Sequence, residues 1–270
     1  MSKTLRARAE DDFASTLFAG SEFFRRRVIV GDLASDVRRL DGLLGGPQFV
    51  LVHGIGASSR YFEPLAVELA KLGSVWLVDL PGYGSSPKPH RTVTLDDHAG
   101  VVAGVLEQCD IAQPVLVAHS MGCQVVTALA LLSPTTAAHL VLLAPTINAA
   151  ERSFAQAAFR LAQDITREPF RANLAVGTDY FFRCGPVYFI RQLPQLLGDR
   201  LEERLPRITT PTLVVAADRD PVVPIDWADQ VARLLPNGRL EVVNGPHVMM
   251  FTDPERIAHL ISLLISEHSS

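Results

Sequence analysis

Short, mostly apolar runs alternate along this chain with stretches whose apolar residues recur at helical spacing. The runs are QFVLVH (48–53), VWLVDL (75–80), PVLVAH (114–119), HLVLLA (139–144), TLVVAA (212–217) and RLEVV (239–243). Each has the length of a strand, and most are apolar enough to be buried on both faces. Between them, Tyr61, Phe62, Leu65, Leu69 and Leu72 form a helical stripe behind Ser59 as a cap residue. Thr94 with Asp97 resembles a capping box that opens a helix running to about Cys109. Further helices are predicted at 121–132, near 226–235 and at 254–266. Strands alternating with helices predict a mostly parallel sheet covered on both faces.

Two stretches break this rhythm. Residues 1 to about 25 are rich in charge and read as a helix or a loose arm, followed by two short strands, Arg27 to Val30 and Ser35 to Leu40, joined at Gly31-Asp32. Residues 146–206 are helical in pattern, contain no clear buried strand, and carry Phe154, Phe159, Phe170, Tyr180, Phe181, Phe182, Tyr188 and Phe189. They read as an insertion, so that the core is expected in two parts, 1–145 and 207–270, with 146–206 between them.

Composition narrows the class. Of 270 residues, 48% are hydrophobic and 20% charged, the balance of a globular chain with a large core. A formal net charge of -4 supplies no electrostatic attraction to nucleic acid or to an anionic membrane surface. Cys109, Cys123 and Cys184 lack the spacing of a zinc site or a disulfide framework and read as reduced thiols. The polar start lacks the apolar segment of a signal peptide, and no apolar run reaches the ~18 residues of a membrane span, so a cytoplasmic location is expected.

The chemistry concentrates at strand exits. Ala118-His119-Ser120-Met121-Gly122 lies between a buried run and an apolar helix. A sharp strand-to-helix turn there lifts the serine hydroxyl off the sheet, and it needs small flanking residues because the two backbones come close. The helix N-terminus behind Ser120 adds amide donors and a positive field. A serine alcohol needs a base, and the candidate is His247 in NGPHVMM, after the run 239–243. The imidazole in turn needs a carboxylate to fix its tautomer. Asp220 in AADRDPVVP is the candidate, held by Pro-Val-Val-Pro; Asp218, two residues earlier, competes for the role. His119, His90 and His98 are alternative bases, although His119 is expected to point to the other side of the turn. His53-Gly54-Ile55-Gly56 reads either as a strand-exit turn or as a loop presenting amides to a ligand. Asp79, in DLPGYGSS, is expected to bind loop amides near the site.

HGIG (53–56), DLPGYGSS (79–86), AHSMG (118–122), DRDPVVP (218–224) and GPHVMMFTDPE (245–255) together resemble the α/β-hydrolase superfamily, within it the small esterases and cofactor-independent haloperoxidase-like serine hydrolases. Ala118 stands where that pattern usually has glycine, and Gly245-Pro246-His247 where a Gly-His pair is more usual. The resemblance spans about residues 26 to 267. It implies an α/β-hydrolase fold: an eight-stranded, mostly parallel sheet whose second strand is antiparallel, with helices on both faces and a helical cap over 146–206. It also implies an oxyanion hole from the main-chain N–H groups of Ile55 and Met121. The order Ser120, Asp220, His247 along the chain is the order of that fold. Serine at position 120 argues against the aspartate-nucleophile dehalogenases and epoxide hydrolases.

The expected function is hydrolysis of a carboxylic ester of a small, largely apolar substrate through an acyl-enzyme, by a monomer or homodimer that needs no cofactor and no metal. The same three residues also serve thioesterases, lactonases, C–C bond hydrolases and acyltransferases, and fold analogy does not separate these. A reading from another class is a small-ligand binding protein of the same fold with little turnover.

Overall fold

Five of the apolar runs, 48–53, 75–80, 114–119, 139–144 and 212–217, form the centre of one sheet because neither of their faces can be left in water, while RLEVV forms an edge strand. In the computed structural model, which describes residues 14–18, 20–153, 156, 160, 163 and 177–267, the strands are β1 Ala14–Phe18, β2 Ser21–Val30, β3 Leu33–Leu40, β4 Gln48–Val52, β5 Ser74–Asp79, β6 Val115–His119, β7 His139–Leu143, β8 Thr212–Ala217 and β9 Gly238–Val243. Every residue of β6, β7 and β8 is buried. Successive side chains of a strand point to opposite faces, so the sheet is covered on both.

The sheet order is β1-β2-β3-β5-β4-β6-β7-β8-β9. β3 runs antiparallel to both of its neighbours, and β5 to β9 with β4 pair in parallel. The eight strands β2–β9 are the expected sheet with its antiparallel second strand. β1 adds a ninth at the edge, antiparallel to β2.

That edge corrects the reading of residues 1 to about 25 as a helix or loose arm: 14–18 and 21–30 are strands. Charge misled because the charges are used between strands. Arg25 and Arg27, two apart and so on one face of β2, both reach Asp36 of β3 at 2.6 and 2.9 Å. Asp36 is buried, and its carboxylate is met by both guanidinium groups.

The helices are α1 Glu63–Ala70, α2 Leu95–Gln108, α3 Met121–Leu132, α4 Pro186–Gly198, α5 Leu201–Arg204, α6 Ile225–Leu234, α7 Met249–Thr252 and α8 Pro254–Glu267. The capping box of α2 is present as expected: the Thr94 hydroxyl accepts from Asp97 N–H at 3.1 Å, and the Asp97 carboxylate from Thr94 N–H at 2.8 Å. The cap ahead of α1 differs by one residue. Ser58, not Ser59, caps a 3₁₀ turn, Ser59–Phe62, that leads into the helix. Between β7 and β8 a non-helical stretch over 144–153 is followed, among the described residues, by a π-helical turn, Asp179–Cys184, then α4, α5 and a 3₁₀ turn, Leu205–Arg207. Phe154, Phe159 and Phe170 lie outside the described residues, as do the side chains of Phe181 and Phe182.

Candidate active site

Ser120 sits between the end of β6 and the start of α3 with φ 55° and ψ -121°. Positive φ is uncommon for a residue with a Cβ and is sustained only where the surroundings enforce it. Here they do. The Ser120 amide donates to the Leu143 carbonyl of β7 at 3.0 Å, and Cys123 N–H donates to the Ser120 carbonyl at 3.0 Å, closing the first turn of α3. Gly122 makes the approach possible: a Cβ there would lie 2.3 Å from the Val52 carbonyl oxygen of β4.

His247 is buried, and its Nδ1 lies 2.7 Å from Asp220 Oδ2. The other Asp220 oxygen accepts from the amides of Val222 and Val223 at 2.7 and 3.1 Å, so the turn at Pro221 holds the carboxylate from behind. Asp218 does something else. Its Oδ1 accepts from Gly245 N–H at 2.9 Å, tying the β8 exit to the loop that carries His247. Of the other histidines, His98 is buried beside Tyr83, His90 is exposed, and His119 faces away from the loop tip into a buried polar cluster.

The loop after β4 passes directly against the serine. A Cβ on Gly54 would come within 2.9 Å of Ser120 Cβ, so only glycine fits. The His53 ring lies beneath this loop, fully buried: its Nε2 accepts from Leu80 N–H at 3.0 Å and its Nδ1–H donates to the Gly54 carbonyl at 2.8 Å. Because the Leu80 amide can only donate, the tautomer is set. Burial lowers the pKa of His53 and keeps it neutral. Ile55 is half-buried beside the core, and Met121 is the first residue of α3.

Asp79 ties the neighbouring loops together. Its two carboxylate oxygens accept from Ser59 N–H and Ser85 N–H, each at 2.8 Å, and its carbonyl accepts from the hydroxyls of Ser35 and Ser86 at 2.7 and 2.6 Å. This is the task the sequence assigned to it.

Over these loops lie Asp179, Tyr180, Tyr188 and Phe189 of the 146–206 segment. The Tyr188 hydroxyl donates to the Pro81 carbonyl at 2.8 Å, and its ring covers Gly82 and meets Tyr83 edge-on. Tyr180 and Phe189 pack edge to face, 5.0 Å apart, and both rings lie against Gly56. Asp179, almost wholly buried, accepts from the Ser58 hydroxyl and faces Arg60 at 3.5 Å and Arg183 at 3.3 Å. Sequence reasoning did not find the roles of Asp179, Tyr61 or the His53 ring. Tyr61 looks like any member of an apolar helical stripe, and Asp179 pairs with a residue 121 positions away. Among the described residues, no group of three or more His, Cys, Asp or Glu side chains is arranged to hold a metal ion. None of the described helices is long and apolar enough to cross a membrane.

The model of the alpha/beta hydrolase family matches residues 49–260. The chain belongs to this family. A hydrolase of 2-(acetamidomethylene)succinate from Mesorhizobium japonicum is 34% identical over 104 residues, which are 38% of this chain and 36% of that protein. The chain thus matches little more than a third of that relative's length. A pimeloyl-[acyl-carrier protein] methyl ester esterase from Vibrio vulnificus is 27% identical over 244 residues, 79% of this chain and 92% of its own. Among solved structures, an esterase from Exiguobacterium antarcticum superposes with a TM-score of 0.77 at 19% identity, covering 88% of this chain and 98% of that one. At that identity the likeness is one of fold. Because β4, β6, β8 and β9 run parallel in one sheet, the strand-to-helix elbow at 118–122 and the loops after β4, β8 and β9 lie on the same rim, beyond the carboxyl ends of the strands.

Proposed function

We propose that the protein is a serine hydrolase that cleaves a carboxylic ester of a small, largely apolar substrate. Ser120 is the nucleophile, His247 the general base and Asp220 the carboxylate that orients it. The observation that carries this reading is the 2.7 Å contact between His247 Nδ1 and Asp220, at a rim shared with a serine held at φ 55°. With Nδ1 committed to Asp220, Nε2 serves the serine. Ser120 Oγ attacks the acyl carbon and its proton passes to His247. The amides of Ile55 and Met121 hold the tetrahedral oxyanion. His247 then gives the proton to the leaving alcohol, and a water, deprotonated by the same imidazole, releases the acid from the acyl-enzyme.

Residues 146–206 act as a cap inserted between core parts 1–145 and 207–270. Tyr180 and Phe189 form part of its apolar roof, which favours an apolar acyl or alcohol group. The relative from Vibrio vulnificus, a methyl ester esterase by name, supports the choice of ester over other acyl bonds. The protein acts as a monomer or homodimer in the cytoplasm.

A fluorophosphonate probe with intact-mass detection tests this reading. One added mass, mapped to Ser120, together with turnover of short p-nitrophenyl esters, is expected. Labelling without turnover would favour a binding protein of the same fold; no labelling would remove the serine mechanism.

A further inference from the structure

Beneath the proposed site runs a chain of three hydrogen bonds whose direction is fixed by its two ends. The Gly54 amide lies 2.7 Å from Tyr61 Oη, Tyr61 Oη lies 3.0 Å from His119 Nδ1, and His119 Nε2 lies 3.1 Å from the carbonyl oxygen of His247. An amide can only donate and a carbonyl can only accept. Gly54 N–H therefore donates to Tyr61, the Tyr61 hydroxyl donates to His119 Nδ1, and His119 Nε2–H donates to the His247 carbonyl. With the buried His119 ring neutral, every other arrangement leaves a clash of donors or of acceptors. The two side chains are 2% and 3% exposed, so no bulk water competes for these bonds. Their rings meet edge-on at 5.4 Å, and the rings of His119 and His247 lie 4.5 Å apart.

The ends of this chain are the points that the proposed chemistry must keep in register. Gly54 precedes Ile55, the proposed oxyanion donor, and touches Ser120. The far end is the backbone of the proposed base itself, and His119 is the residue before the nucleophile. We infer that Tyr61 and His119 are positioning residues, one hydrogen-bonded pair that holds the oxyanion loop, the elbow and the histidine loop in a single relative geometry. This rests on the serine-hydrolase reading above. The pair touches no substrate and exchanges no proton with it. Burial keeps His119 well below the usual histidine pKa and Tyr61 well above the usual tyrosine pKa, so the chain is uncharged. That leaves the positive charge that develops on His247 during attack without a like charge 4.5 Å away.

The test compares wild type with Tyr61→Phe, His119→Gln and the double variant. Tyr61→Phe removes one oxygen and leaves the Gly54 amide and His119 Nδ1 without partners. It is expected to lower kcat by about tenfold to a hundredfold, with KM within about threefold, and to slow fluorophosphonate labelling of Ser120 in parallel. If the pair acts as one unit, the double variant falls no more than about twofold below the worse single variant, whereas independent effects multiply. A part that only supports folding would lower Tm and leave kcat in place. Near-UV circular dichroism establishes that each variant is folded, and His119→Gln carries the same comparison if Tyr61→Phe does not fold. Wild type labelled at Ser120 with variants turning over at near wild-type rates, or losing only in KM, overturns the inference and leaves the serine-hydrolase reading standing. Wild type unlabelled at Ser120 overturns both.

Discussion

His53 grips the carbonyl of Gly54 through an Nδ1–H donor at 2.8 Å, and that carbonyl belongs to the same peptide unit as the Ile55 amide. In a trans peptide the C=O and N–H point in opposite directions. Fixing the carbonyl downward onto a buried imidazole therefore fixes the Ile55 N–H upward. His53→Phe removes the grip while keeping a ring of similar bulk. It is expected to lower kcat toward p-nitrophenyl esters by ~10²-fold, the cost of losing one oxyanion donor. A kcat within about threefold of wild type would show that the amide keeps its direction without the imidazole.

Ser120 joins chemistry to backbone strain. Ser120→Ala is expected to fold and to lose ~10⁴ to 10⁶ in kcat. It keeps the strain, because alanine also carries a Cβ. Ser120→Gly loses the same activity but relieves a positive φ worth roughly 1–3 kcal/mol, partly offset by the added freedom of glycine in the unfolded chain. Urea denaturation should place Ser120→Gly above Ser120→Ala. The reverse order would mean that the elbow is unstrained.

The two neighbouring carboxylates separate by experiment as they do in space. Asp220→Asn presents an amide to His247 Nδ1 and is expected to lower kcat ~10⁴-fold by favouring the wrong tautomer. Asp218→Asn keeps an oxygen for the Gly245 amide and should leave kcat within about tenfold of wild type. Steady-state kinetics of both variants decides, and a larger loss in Asp218→Asn would move the acid by two residues.

Acid should destabilise the fold through its buried histidines. Burial pushes His98 down to about 3 and lowers His53 and His119 as well. These groups stay neutral in the fold, while the unfolded chain protonates them near the ordinary value of 6.5. The unfolded state thus binds more protons below that value, so stability is full above pH 6.5 and falls as pH drops toward 3. From His98 alone the loss at pH 5 is roughly 2 kcal/mol. Urea midpoints between pH 7 and pH 5 measure it, and His98→Gln should flatten the slope. An unchanged slope would mean that His98 titrates freely.

On the proposed reading, the Tyr180–Phe189 pair over Gly56 is expected to set the acyl length accepted. A p-nitrophenyl ester series should show kcat/KM rising from acetyl to a medium chain and then falling, with up to ~0.8 kcal/mol gained per buried CH₂. Phe189→Ala opens space above Gly56 and should move the optimum to longer chains. An identical profile in the variant would place the acyl group elsewhere.

Much of this was legible because buried parallel strands are the least ambiguous elements a chain can carry. The runs ending at His53, Leu80, His119 and Ala217 are apolar on both faces and stop at glycine, proline, serine or aspartate, so strand and exit loop are read together. The edge was not legible. Phe23 and Val28 of β2 are buried but five residues apart, which breaks the period of two, and the arginines between them look like a solvated face until Asp36 is placed opposite. In the candidate site, residue types at strand exits picked out Ser120, Asp220 and His247, and the structure pairs the last two. They did not name what supports them. Tyr61 and the His53 ring act through bonds to main-chain atoms, which leave no mark on the spacing of side chains. Asp179 acts across a long separation that only the folded chain closes.

The Asp79 knot has a consequence for the timescale of motion. One carboxylate binds an amide from the loop after β4 and another from the loop after β5, and its own carbonyl takes two hydroxyls. None of these can be released singly without leaving a buried partner unmatched. The floor of the site therefore opens only with the core. The amides of Ser59 and Ser85 should exchange with deuterium on the scale of global unfolding. On the proposed reading, the floor is therefore in its reacting geometry before a substrate arrives, and binding has no loop to order there.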